Sequence, residues 1–584
     1  MLFCQLPSDV QLSKMPPING NRKDLQAVFG LQLNTDGAPT SRYERRGPVG
    51  RLPPDFLTPI GTRAQNYLHS DTASTKSILG GSRDGDDNSA PQDAHLSRLG
   101  LEVQARRDMG ILGAVAAGWN ICNSWAAAMA TLVISASLGG PTALIYGIMV
   151  IFVLAGSSAL SMAEIASAYP TAGGQYHWTS ILVGPGYIGK PLSYICGALN
   201  TFGWIATAAG FLAPLSDMVR ALAGFLDPTY VAEGWHTFLI FQICNVAFTA
   251  YNIFLMKRTP WIHQLGFFLS IVSFLTILVT CLAQSDPKQS SEVVWTTWVN
   301  RSGWSSDGLV FLMALSNANF IYSGLDGAIH LAEECINPAV AVPAALISTV
   351  VIGFVTALAF VVAMIYSYND LDKVLAAPLP VLEIWYQATR SKPIATAFLI
   401  LLIVGGFFAG TGSQQTASRL TWSFARDDAV VGSRFLRRMN FRFGVPVNAL
   451  LVNCAFVFLL GCVNLASSAA FTALVATGLI LLQCSFAIPA ALVLRRRLLG
   501  TLPAVLPESR PFRLPGLVGG LANFLSIALA FISLVFYSFP VSLPVTPGNM
   551  NYASVVIAVM AALAAANWVF HASRNYHGPK LPQW

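Results

Sequence analysis

The chain is 584 residues long, 54% hydrophobic and only 11% charged, with a mean hydropathy of +0.56. Soluble domains carry about 25% charged residues, so a soluble protein of this size and composition could not cover its surface. The net charge of +7 does not point to nucleic acid, because the basic residues sit in short loops between apolar runs. The nine cysteines are scattered singly, with no CxxC and no metal-ligand spacing, and most lie inside apolar runs as small core residues.

Residues 1–105 differ in kind. They are rich in Pro, Gly, Ser, Asp and Arg, as in "LGGSRDGDDNSAPQDAHLS" (79–97), and are expected to form a disordered cytosolic tail. From residue 106 to 575 the pattern predicts a transporter domain, followed by a short cytosolic tail at 576–584. Twelve apolar segments fall at 109–137, 141–165, 190–218, 235–255, 261–284, 308–330, 341–367, 393–422, 446–465, 468–494, 515–540 and 549–572. Each is long enough to cross a hydrocarbon layer of about 30 Å as a helix. The runs lack the alternation of a membrane barrel, and backbone in lipid must satisfy its own hydrogen bonds. The fold class expected is therefore an all-α membrane protein of twelve transmembrane helices.

Orientation follows from the loops. Lys257, Arg258, Arg426, Arg434, Arg437, Arg438, Arg442, Arg495 to Arg497, Arg510 and Arg513 gather on one side. The other side holds only Arg220, Lys288, Arg301, Lys373, Arg390 and Lys392. The positive-inside rule then puts both termini in the cytosol. The sequon "NRS" makes Asn300 a candidate glycosylation site in an outer loop.

Two segments break the apolar pattern at corresponding places. The first span contains "AAGWNICNSW" (116–125), with Gly118, Asn120, Asn123 and Ser124. The sixth contains Tyr322-Ser323-Gly324-Leu325-Asp326-Gly327, where a carboxylate costs about 2.5–3.5 kcal/mol on insertion scales. Spans one and six open two five-helix halves, and paired interruptions point to an inverted-repeat transporter with its site at the midplane. The competing reading is close helix contact through small residues. Asp326 has three candidate roles: meeting a substrate ammonium, carrying a coupling proton, or capping the inner half-helix. Asn200 and Trp204 in span three, and "TGSQQT" (411–416) in span eight, supply polar groups at the same depth. Trp119, Trp125, Phe320 and Tyr322 offer aromatic faces for a cationic amine, or plain packing.

Near the inner ends of spans two and six lie Glu164, and Glu333 with Glu334. The first is expected to pair or cap. The second two are candidates for an inner gate with Arg426 or Arg419, or ordinary interfacial acids. "GPGYIGKP" (184–191) fits GxxxxGK, but Pro191 stands where a P-loop needs Ser or Thr and no strand precedes it. No nucleophile–base pattern, cofactor motif or metal-ligand cluster stands out, so an enzyme is not expected.

"SMAEIASAYPTAGGQYHWTSILVGP" (161–185), "GLDGAIHLAEECINPAVAVPAAL" (324–346) and "SRLTWSFARDDAV" (418–430) resemble the signature stretches of fungal amino acid/choline permeases. That group, which includes GABA and choline permeases, lies within the amino acid–polyamine–organocation superfamily. The resemblance runs from about residue 95 to 575. It implies a LeuT-like 5+5 inverted repeat with two extra C-terminal helices, and secondary active uptake of a small amino acid or amine. It also implies a proton in preference to sodium as coupling ion, and residence in the plasma membrane, with the vacuolar membrane as alternative. Some proton-coupled members carry a lysine in the fifth span. Here 261–280 has none, only His263 near the inner end, so the proton carrier is unassigned. A transport-dead nutrient sensor, or a carrier of an alkaloid or its precursor, are the alternatives.

Overall fold

The computed structural model describes residues 107–184 and 188–579, apart from a few side chains within 133–137. The expected tail at 1–105 lies outside the described residues, as does most of the segment 576–584. Among the described residues the secondary structure is helical, with three isolated bridges and no strand.

Among the described residues eleven helices are long and apolar enough to cross a membrane, and they match the second to twelfth predicted spans. The helices on which the site is built are α1 (Ile111–Cys122), α2 (Ser124–Ser137), α3 (Gly140–Ala168), α4 (Gln175–Val183) and α5 (Gly189–Leu226). They continue with α6 (Gly234–Phe254), α7 (Ile262–Gln284), α8 (Asp307–Asn319), α9 (Gly327–His330), α10 (Pro338–Ser367) and α11 (Lys392–Arg426). Helix α5 runs eight residues past the predicted end of its span, through Pro214. The first predicted span is absent from the eleven because it is cut into α1 and α2 at Asn123, whose φ of 36° is left-handed.

Local chemistry sets the ends. Ser306 accepts a hydrogen bond from the amide of Leu309 at the start of α8, and Pro sits in the first turn of α3, α10 and α11. The outward faces remain apolar and uncovered, as at Ile243, Phe268, Val279 and Leu517. Such an exposed apolar belt is unstable in water and suits hydrocarbon. The chain is a multi-pass membrane protein.

The sixth span is interrupted where its sequence suggested. Helix α8 tightens into a 3₁₀ turn at Phe320–Tyr322, then opens through Ser323, Gly324 and Leu325 before the single turn of α9. Gly324 takes φ +84°, and a Cβ there would lie 2.6 Å from the Ile121 side chain. Only glycine meets both conditions without strain. The two interruptions touch: Ser124 Oγ donates to the carbonyl of Ile321 at 2.8 Å.

Candidate functional site

A cavity of about 870 Å³ opens at one end of the bundle. Its walls include Thr131 on α2, Pro214 and Asp217 on α5, and Asn317 with Phe320 at the end of α8. Phe471, Phe536 and Tyr537, from later helices, add aromatic surface. Asp217 and Arg220 form an ion pair at 3.3 Å within the same wall. The cavity reaches Phe320, the first residue of the sixth-span interruption.

Beneath it Asp326 is brought together with Asn200 and Trp204, and of the predicted residues only Phe320 lines the cavity in this conformation. Asp326 is fully buried and gathers donors from three elements. Its Oδ2 accepts from Gln175 Nε2 at 2.9 Å, Asn200 Nδ2 at 3.2 Å and Trp204 Nε1 at 3.2 Å. His330 Nε2 lies 3.1 Å from the same oxygen, while Oδ1 has no partner. Asp326 occupies the N-cap position of α9 yet makes no side-chain bond to a backbone amide. The capping role is thereby removed. A four-residue helix has little to cap, and the carboxylate is turned toward α4 and α5 instead.

The remaining predicted residues divide by what they touch. Asn120 Nδ2 donates to the carbonyl of His263 at 2.7 Å, tying α1 to α7. Asn123 Oδ1 accepts from Ser270 Oγ at 2.7 Å, and Ser270 also accepts from Trp125 Nε1. Tyr322 donates to the carbonyl of Val350 at 3.2 Å, and Ser323 is buried between. Gly118 faces α10: a Cβ there would meet Thr349 Oγ1 at 2.9 Å. That is the close helix contact that small residues permit. Asn300 holds its own loop, its Oδ1 accepting from Ser302 and its Nδ2 donating to the carbonyl of Trp304 at 2.9 Å.

The end of the sixth span away from Asn300 is closed by charge. Glu333 receives two hydrogen bonds from Arg426, at 2.9 and 3.1 Å. Glu334 pairs with Arg419 at 2.7 Å and with Lys257 at 2.5 Å. Burial alone would raise the Glu334 carboxyl, but Arg419 and Lys257 outweigh it and hold the group at about 2. Burial opposes ionisation at Glu333 too, and Arg426 keeps it below its ordinary range. The carbonyl of Glu334 also accepts from the amides of Asp108 and Met109, so the segments flanking α1 and α9 are clipped together. Glu164 is not beside this group. It pairs with Arg497 and Arg510 and accepts from the amide of Leu514, fastening α3 to a later loop.

Sequence reasoning missed Gln175, His177, Asp427 and the role of His330. At the start of α4, Gln175, Tyr176 and His177 are buried. His177 Nε2 lies 2.8 Å from Asp427 Oδ2, which also accepts from Tyr176 at 2.8 Å. Burial would raise Asp427, and His177 with Arg426 lowers it. The signal for Gln175 and His177 was their place in "GGQYHW".

A cavity open at one end, an ion-paired closure at the other and two broken helices between them are the build of a membrane transporter. The chain belongs to the amino acid permease family, whose model matches residues 111–562. It is 33% identical over 480 residues to the choline transporter of Saccharomyces cerevisiae, covering 82% of this chain and 83% of that one. It is 30% identical to the swainsonine transporter of Arthroderma benhamiae, over 83% of this chain and 96% of the relative. Similarity to the 7-keto 8-aminopelargonic acid transporter of Saccharomyces cerevisiae is 27%, over 75% and 87%. The chain is a transmembrane permease.

Proposed function

We propose that the protein takes up a small amine or amino acid by alternating access, coupled to protons, with the cavity as the outward-facing entry. The observation that carries this reading is the opposition along one span. Phe320 sits at the cavity floor, and Glu333 and Glu334 are locked to Arg426, Arg419 and Lys257 at the far end. In this arrangement substrate enters from the side of Asn300, and the ion pairs must open to release it. Spans one and six, α1–α2 and α8–α9, supply the moving parts, with α1 and α2 counted together as the first span.

The cavity favours an amine with an apolar body. Aromatic rings of Phe320, Phe471, Phe536 and Tyr537 give faces for cation–π contact, which suits a quaternary or primary ammonium. The choline relative supports this class of cargo, and the swainsonine relative supports the alkaloid alternative. Positive loop charge supports cytosolic termini, and the plasma membrane is the expected location. Uptake of radiolabelled choline, GABA and a panel of amines in a permease-deficient yeast strain tests the reading. Accumulation above that of empty-vector cells for at least one amine is expected. A protein that reaches the surface and accumulates none of them is a sensor and not a carrier.

A further inference from the structure

We propose that His330 and Asp326 together form the proton-binding site of the cycle, holding one proton while the Glu333–Arg426 end is closed. This rests on the alternating-access reading and assigns the carrier which that reading leaves open.

The hydrogen-bond directions carry the argument. His330 Nδ1 lies 2.8 Å from the carbonyl oxygen of Ala172. A carbonyl can only accept, so Nδ1 bears a hydrogen. The opposite nitrogen, Nε2, lies 3.1 Å from Asp326 Oδ2. If the ring were neutral, with its hydrogen on Nδ1, the Nε2 lone pair would face a carboxylate oxygen, acceptor against acceptor. The contact therefore needs a proton between them. Oδ2 is already taken by the indole N–H of Trp204, which can only donate, and by the amides of Gln175 and Asn200. The proton belongs on Nε2, giving an imidazolium against a carboxylate, both fully buried. Three donors from α4 and α5 and the carbonyl of Ala172 hold the buried pair in place, and Asp326 Oδ1 alone keeps no partner.

The surroundings add no competing charge at contact distance. On α1 the nearest titratable group is the Cys122 thiol, within electrostatic reach of Asp326. From α4, His177 is turned to Asp427, and from α11, Arg419 is turned to Glu334. Helix α5 presents only Asn200 and Trp204, both neutral.

Gate and proton share one residue. The amide of Ala172 donates to Glu333 Oε1 at 3.4 Å, and its carbonyl accepts from His330. Separating Glu333 from Arg426 shifts the backbone that His330 needs. Without that carbonyl the ring has no reason to keep hydrogens on both nitrogens, and it sheds one proton to leave neutral imidazole and carboxylate. Proton binding and closure of this end then stabilise each other, as linkage requires.

Cys335 offers a readout that needs no substrate. It is a free, fully buried thiol, one residue beyond the Glu333–Glu334 pair. The full-length protein in detergent is labelled with maleimide, and modification at Cys335 is followed by peptide mass spectrometry. Wild type and His330→Gln are compared at each pH, so the intrinsic chemistry of the reagent cancels in their ratio. The ratio of wild-type to variant labelling is expected to rise about threefold or more from the acid to the alkaline end of the pH range in which both proteins stay folded. A ratio flat with pH overturns the proposal. Should His330→Gln fail to fold, Asp326→Asn keeps the side-chain size, removes the anion and carries the same expectation. Loss of amine uptake by the wild type would overturn the transport reading instead, and leaves this labelling test standing.

Discussion

Glu333 and Arg426 meet through two parallel hydrogen bonds, 2.9 and 3.1 Å long, at the end of the sixth span opposite the cavity. Both side chains are largely buried. Breaking such a pair by removing one partner leaves an uncompensated charge, at about 3–5 kcal/mol. Glu333→Gln is therefore expected to lower the melting temperature in detergent and to increase Cys335 labelling. Exchanging the two residues, Glu333→Arg with Arg426→Glu, is expected to restore part of both. If the exchanged protein is no better than either single variant, the pair does not act as a gate.

Glu334 gives a prediction in pH with a definite sign. Its folded carboxyl sits at about 2 against an ordinary 4.5. A lowered carboxyl contributes stability above its unfolded value and loses it as pH falls through the folded value. The difference in melting temperature between wild type and Glu334→Gln should be constant from about pH 6 to 8 and shrink below about pH 4.5. A difference that changes near neutrality would mean that Glu334 titrates there, and would contradict the hold of Arg419 and Lys257 on its carboxyl.

Gly324 and Gly118 should respond differently to the same substitution. Alanine at 324 must adopt φ +84° and place its Cβ 2.6 Å from Ile121, so the backbone strain alone costs about 1–3 kcal/mol. Alanine at 118 has one tight contact, the Thr349 hydroxyl at 2.9 Å, and Thr349→Ala should relieve it. Thermal melting of Gly118→Ala with and without Thr349→Ala checks this. Rescue of Gly324→Ala by the same second change is not expected.

Topology is open to a direct check. A tag inserted after Gly432 should be reached by antibody only in permeabilised cells, because the loop 433–442 carries Arg434, Arg437, Arg438 and Arg442. Labelling on intact cells would reverse the orientation and make the cavity inward-facing.

The spans were legible because continuous apolar runs admit one backbone solution in lipid. The broken stretches were legible too, since "NICNS" and "SGLDG" place polar and flexible residues where an unbroken helix has no use for them. Three things were not. Asp326 stood out by its insertion cost, but sequence could not show that its donors come from residues 122 to 151 positions away. Gly118, Asn120, Asn123 and Ser124 stood together as candidates for the first break, and the chain turns at Asn123, whose left-handed backbone a short polar side chain tolerates. Glu164 and Glu333 read alike as inner-end acids, and only packing assigns one to a structural clasp and the other to the closed end.

The central claim is proton-driven carriage, and one measurement meets it head on. Yeast lacking its own permeases, expressing the full-length protein, is given radiolabelled choline and the amine panel in acidic medium, with and without a protonophore. Accumulation above the external concentration, collapsing when the protonophore is added, is the predicted result. Uptake that only equilibrates, or that ignores the protonophore, would contradict it.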